Sequence, residues 1–323
     1  MPDVSEDPRE IDWHPRFSKS VVGHNDAAAL FTKAFAAGRP HHAWLIHGTK
    51  GIGKATLAYQ LAKQVLGGSA QSQRWVDQRA HPDLFVLERQ LNESKPRKLK
   101  SEISVDDARD LGTFLARTAA ATWRVVLIDS ADDLSSESGN AILKLVEEPP
   151  TKTMMFLISH QPGRLLRTLK SRCLRLQLNS VSDSDVLNVI KQLPLPDESS
   201  REDLEAAILQ AGGSVGAALA LLHSSGAKAF RQFTTPQNPR LSIQTQIAGQ
   251  VAAKGQGPDE FRIFGDLLLG HLARAAVIRG SATAAEAYQI LSQNLRVAEG
   301  FNLDRKQAAL EAMRLVTDAL KQT

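Results

Sequence analysis

One stretch constrains the fold more than any other: residues 43–66, AWLIHGTKGIGKATLAYQLAKQVL, an apolar run that breaks into glycines and resumes with a helical period. Gly48, Gly53 and Lys54 stand at the G-x-x-x-x-G-K spacing of a phosphate-binding loop. Together with Gly51, these glycines allow backbone conformations closed to other residues. Successive N–H groups can then converge on one anion at a helix N-terminus. Lys54 adds a full positive charge. Ser or Thr normally follows, its hydroxyl holding Mg²⁺, but here the helix continues with Ala55 and Thr56. The missing oxygen weakens metal positioning, while most phosphate contacts, from backbone N–H groups and Lys54, remain. Two readings therefore stand: an impaired nucleotide site and a glycine-rich turn without a ligand.

The chain around the loop alternates strands and helices. Residues 24–37 place Leu30, Phe31, Ala34 and Phe35 at helical spacing, and Leu57, Leu61 and Val65 form a stripe on the helix after the loop. Strands are expected at 83–87 (DLFVL), 125–128, 154–158 (MMFLI) and 174–178, with helices at 103–118 and 137–148, the latter stopped by Pro149 and Pro150. Strands that are apolar throughout are buried on both faces. The pattern predicts an α/β fold with a parallel sheet flanked by helices, and Trp44 and Met154 to Phe156 read as its core. Residues 67–81 read as a polar connection, and the KPRKLK run at 95–100 as a solvated loop or a phosphate-backbone contact. Beyond residue 180 only helical patterns remain: short ones at 183–191, 201–210 and 215–223, then a Pro-containing linker at 234–240 and longer apolar stripes to the end.

Charge and cysteine content narrow the function classes. Basic groups outnumber acidic ones by 39 to 35, which permits nucleic-acid contact without arguing for it. The single cysteine, Cys173, excludes an internal disulfide framework and a Cys-based zinc site, and reads as buried packing. No apolar run is long enough to span a membrane. The N-terminal MPDVSEDPREIDWHPRF has no apolar core, so it reads as a mobile arm rather than a signal peptide, and a cytoplasmic location is expected. His41 and His42 lack acidic or cysteine partners at ligand spacing and read as a turn or surface pair.

Hydrolysis at such a loop needs a strand-end acid for the metal, a water-positioning residue and positive charge near the γ-phosphate. Asp129, closing the strand VVLID, suits the metal-side role; a turn cap is the alternative. The next position, where an acid would polarise water, holds Ser130, and Asp132 and Asp133 are expected to point elsewhere. Loss of that acid removes help usually worth roughly two to four orders of magnitude in rate.

The run NAILKLVEEPP at 140–150, the tripeptide Ser171-Arg172-Cys173 and the order of the loop, VVLIDSADDL, FLISH and GGSVGAAL together resemble the bacterial clamp-loader branch of AAA+ proteins over most of the chain. The resemblance implies three parts: a P-loop domain at 1–180, a small helical lid at 181–233 and an all-α collar at 234–323. It implies a subunit of the DNA polymerase III clamp loader that does not hydrolyse ATP itself. Its partners would be ATPase subunits of gamma/tau type, a clamp-opening subunit of delta type and, through the complex, the sliding clamp and primer-template DNA. Arg172 would be an arginine finger for a neighbour's ATP site; pairing with a local carboxylate is the alternative. Hydrolysing relatives carry a lid arginine where this chain has Gly216, and many have a four-cysteine zinc module where residues 67–81 hold none, so no zinc is expected. ATP remains possible at the degenerate loop, as does an empty loop. An ATP-hydrolysing motor of the same loader, a DNA-remodelling ATPase and a pure scaffold stay open as alternatives.

Overall fold

The computed structural model describes residues 13–38, 40–93, 99–120, 122–193, 201–234, 241–253, 260–278, 280–300 and 303–321, in two compact units, Met1–Asp185 and Val186–Thr323. In the first unit, α1 (Asn25–Ala36), β1 (Ala43–His47), α2 (Lys54–Val65), α3 (Ala70–Asp77), β2 (Leu84–Glu88), α4 (Val105–Ala116), β3 (Arg124–Asp129), α5 (Ser136–Glu147), β4 (Thr153–Ser159), α6 (Arg167–Ser171) and β5 (Leu174–Gln177) follow one another. All strand pairs are parallel, in the order β2-β3-β4-β1-β5. The topological reversal therefore falls at β1, and the glycine loop leaves the carboxyl end of that strand.

Alternate side chains of β1 to β4 enter two separate cores, whereas β5 contributes only Leu176. Val125 and Leu127 join Trp44, Ile46 and Phe156 beneath α1, α2 and α3, whereas Val126 and Ile128 join Leu45, Met155 and Leu157 beneath α4, α5 and α6. Every residue of β4 is buried, which fits a central strand covered on both faces. Helix starts follow local chemistry. The Ser104 hydroxyl and Asp107 carboxylate form a reciprocal capping box on α4, and Ser135 caps α5 by accepting from the Ser138 N–H.

The second unit contains α7 (Asp183–Ile190, whose first turn belongs to the preceding unit), α8 (Arg201–Ala211), α9 (Val215–His223), α10 (Ser225–Thr234), α11 (Leu241–Ala252), α12 (Glu260–Ile278), α13 (Ala282–Gly300) and α14 (Arg305–Lys321). Phe230, Phe233, Ile247, Phe261, Phe264, Leu268, Leu291, Met313 and Val316 form one core shared by α10 to α14. Helices α10 and α12 approach closely at Gly226, where a Cβ would lie 2.6 Å from the Glu260 carbonyl oxygen. No described helix is long and apolar enough to cross a membrane.

Three features differ from expectation. Residues 70–77, read as a polar connection, form α3. Its N-terminus is capped by Ser69 and its apolar contribution rests on buried Val76, too little for a periodic signal. Residues 225–234, given no element by the spacing, form α10, which buries Phe230 and Phe233 on one face beside the small Gly226, Ala227 and Ala229. The described end of the N-terminal arm is packed rather than mobile. Pro15–Phe17 makes a 3-10 turn, and the Arg16 carbonyl accepts a hydrogen bond from Lys63 Nζ at 2.9 Å. Lys63 is buried and also pairs with Asp77 at 2.6 Å, so its ammonium binds the arm to α2. Residues 1–12, most of the KPRKLK run (95–98) and most of the linker (235–240) lie outside the described residues.

Candidate functional site

The glycine loop joins β1 to α2 around buried Lys54. Gly48 has φ +149°, donates its N–H to the Ser159 carbonyl at 3.3 Å, and leaves no room for a side chain. Gly53, in the left-handed region at φ +104°, is the N-cap of α2. Gly51 lies in the loop between them, and Thr56 is half-buried in the first turn of α2. The Ala55 methyl packs against the apolar face of the sheet, where it offers a metal nothing. Lys54 Nζ donates to the carbonyls of Gly48 at 2.8 Å and Thr49 at 2.6 Å, so the ammonium braces its own loop. Desolvation lowers its pKa to about 8, against the pull of Asp129 and Asp132. His24 Nε2 bonds the Ile52 carbonyl at 2.6 Å and fixes the loop from the other side. This cradle suits a phosphate through N–H groups and charge, but it lacks the hydroxyl a phosphate-bound Mg²⁺ would use.

Asp129 ends β3 beside Glu88, its register partner on β2. Glu88 is held by both terminal nitrogens of Arg79, at 2.5 and 3.0 Å. Burial, reinforced by the Glu88 carboxylate, raises the Asp129 pKa to about 6, with Lys54 opposing. Because the folded value lies above the unfolded one, the folded chain holds this proton more tightly, and stability falls as pH rises between about 4 and 6. Asp129→Asn removes that cost and leaves Asp132 facing Lys54. It is expected to stabilise the chain at pH 7 by about 1–2 kcal/mol, a gain that vanishes near pH 4; paired thermal melts at the two pH values check this.

Ser130, where a water-polarising acid would stand, is buried and donates to Asp133 Oδ2 at 3.1 Å; the Asp129–Ser130 peptide is cis. Asp133 also pairs with Arg89 at 3.2 Å. Asp132 turns toward the end of β4. A 3-10 turn at Ala131–Asp133 carries its carboxylate to the end of β4, where it accepts from Ser159 Oγ at 2.7 Å and from the His160 and Gln161 N–H groups. It is therefore fully engaged in holding that strand end, although Lys54 feels its charge. His160 lies next to it with a buried Nδ1 that has no hydrogen-bond partner. Burial and then Lys54 push its pKa down to about 4, so it is neutral at pH 7.

Arg172 lies apart from Lys54 and its acids, at the C-cap of α6. Its guanidinium is half-exposed; Nη2 pairs with Glu147 Oε1 at 2.6 Å and Nη1 donates to the Thr168 carbonyl at 2.8 Å. The local-carboxylate pairing is thus present in the isolated chain. Cys173 is buried, donates to the Leu169 carbonyl, and has its pKa raised to about 11 by burial, so its thiol is inert packing. His41 and His42 stack on each other, and His42 Nε2 bonds the Val146 carbonyl at 2.8 Å, which ties the start of β1 to the end of α5. Gly216 is exposed in the first turn of α9. The parts played by Asp132, His160 and Glu147 were not read from the sequence, although all three stand in the quoted runs VVLIDSADDL, FLISH and NAILKLVEEPP.

A parallel five-stranded sheet with this loop at the end of β1, followed by all-helical elements, defines a P-loop α/β protein with a helical C-terminal part. The comparisons agree. The family described as "DNA polymerase III, delta subunit" matches residues 23–182. The delta-prime subunit of DNA polymerase III from Pseudomonas aeruginosa is 34% identical over 236 residues, which cover 70% of this chain and 69% of that one. The gamma subunit from Buchnera aphidicola is 28% identical over 218 residues, 65% of this chain and 58% of that longer protein. A solved gamma-subunit-related protein of DNA polymerase III from Thermotoga maritima shares the fold, with a TM-score of 0.50 at 17% identity, covering 91% of this chain and 98% of that one. The chain belongs to the delta-prime family of DNA polymerase III clamp-loader subunits.

Proposed function

We propose that this chain is the non-hydrolysing, stator-like subunit of a DNA polymerase III clamp loader and supplies Arg172 in trans to the ATP site of an adjacent ATPase subunit during sliding-clamp loading. The observation that carries this reading is the engagement of the acids around Lys54: Asp132 holds the end of β4, Asp133 is bonded to Ser130 and Arg89, and no acid stands at Ser130. Ala55 and exposed Gly216 remove two further groups that hydrolysis would use. Arg172, by contrast, is a permanently charged fork on the surface, suited to the charge on a transferring phosphoryl group. Gly48, Gly51, Gly53, Lys54 and Thr56, with Asp129 opposite, would cradle a nucleotide that is not turned over, and no zinc is involved. ATP bound there would supply structure rather than chemistry.

The partners are ATPase subunits of gamma/tau type and an opener of delta type, with the clamp and primer-template DNA reached through the assembly in the cytoplasm. In this reading residues 1–180 are the P-loop domain, 181–233 the lid and 234–323 the collar. Co-purification with gamma-type and delta-type subunits is expected to yield one complex, while the isolated chain shows no sustained ATP turnover. Lys54-dependent turnover by the isolated chain would instead identify a motor subunit.

A further inference from the structure

Glu147 is poorly placed for the stability of its own helix. It is the last residue of α5, and Glu148 follows as the C-cap, so two carboxylates sit where the unpaired carbonyls already concentrate negative charge. A cation is favoured there; beside Lys144 in the helix's own last turn, Arg172 arrives from the end of α6 and pairs with Glu147 at 2.6 Å. The end of α5 is itself fixed, because the Val146 carbonyl bonds His42. The guanidinium is simultaneously folded back onto its own helix through Thr168. Both members of the pair remain about two-fifths exposed, with side chains at 36% and 41%, so an incoming anion can reach the guanidinium without unfolding anything.

We propose that Glu147 is a positioning residue for Arg172: it holds the guanidinium against the C-terminus of α5 until a phosphate on the adjacent subunit takes the place of the carboxylate. This rests on the reading of Arg172 as a trans-acting finger. A phosphate offers the same forked acceptor geometry with more charge, so the exchange is directional. Before docking, the pair keeps a long side chain from sampling many conformations. The half-exposed pair is screened, so the hold is weak and readily exchanged.

The test uses the assembled complex and a non-hydrolysable ATP analogue, whose affinity for the adjacent site is measured by titration. Glu147→Gln keeps shape and removes charge, and is expected to tighten analogue binding about two- to five-fold, in keeping with an exposed ion pair. In an Arg172→Ala background the same change is expected to do nothing, whereas a merely structural role for Glu147 would persist there. Unchanged or weakened binding in Glu147→Gln overturns the proposal, as does an effect that survives without Arg172. Should Arg172→Ala alone leave analogue binding and turnover untouched, the finger assignment itself fails, separately from the role of Glu147. A thermal melt of each isolated variant confirms that it folds.

Discussion

Replacing Arg172 with alanine in the reconstituted clamp loader is expected to slow single-turnover hydrolysis at the adjacent ATPase site by about three orders of magnitude or more, the usual worth of an arginine finger. The complex itself is expected to assemble normally. Both halves of that expectation follow from where the side chain sits. Its partners within the chain are one half-exposed carboxylate, the Thr168 carbonyl and the Ser171 hydroxyl, so truncation strips a surface ion pair and leaves Glu147 solvated rather than buried. Such pairs contribute about 0–1 kcal/mol to stability. If Arg172 acts in trans as proposed, the effect on rate arises elsewhere, in charge developing on a phosphoryl group bound by the adjacent subunit. Arg172→Lys keeps the charge but loses the fork, and should recover only part of the rate. Phosphate release after mixing with ATP, alongside size-exclusion profiles, separates chemistry from assembly. Wild-type release by the alanine variant in an intact complex sinks the finger.

The contrast between Arg172 and Lys54 also explains what could be read from residues alone. Strands β3 and β4 announce themselves because both faces are buried, which forces an unbroken apolar run. Helix α3 escapes notice for the opposite reason, since it buries little beyond Val76, while the apolar face of α10 rests on only two large residues, Phe230 and Phe233, beside a close approach at Gly226. At the nucleotide-type site, the residue types that identify the loop were legible, and so were the absences at Ala55, Ser130 and Gly216. The direction of Asp132 was not. Its position three residues beyond a strand end says nothing until the 3-10 turn is known to reverse the chain toward β4. Glu147 and Arg172 stood in two separately recognisable motifs, but their contact depends on α5 and α6 ending side by side, which no local spacing records. Asp129 was legible as a strand-end acid. Its raised pKa needed the register that sets Glu88 beside it.

The strongest stability effect is expected at the first glycine of the loop, and it bears on why a motif without its full chemistry persists. A Cβ on Gly48 would lie 2.4 Å from the Leu178 carbonyl oxygen and 2.7 Å from Ile52 Cδ1. The isoleucine tip can move. The carbonyl cannot easily do so, because the Leu178 N–H donates to the His47 carbonyl at 2.8 Å and that backbone continues the β1–β5 pairing. Backbone strain adds to the clash, since φ is +149°. Gly48→Ala is therefore expected to destabilise the isolated chain by about 2–4 kcal/mol, combining overpacking with strain. Gly38→Ala is the control: its φ of +74° imposes strain, but a Cβ there meets nothing within 4 Å, so its cost should be near 1 kcal/mol. Melts without nucleotide make the comparison. A larger loss for Gly48 would mean that sheet geometry alone retains this glycine whether or not a phosphate ever binds, so the loop can outlast its catalysis. Equal losses would mean that the clash with Leu178 is relieved by relaxation and that packing does not account for this glycine.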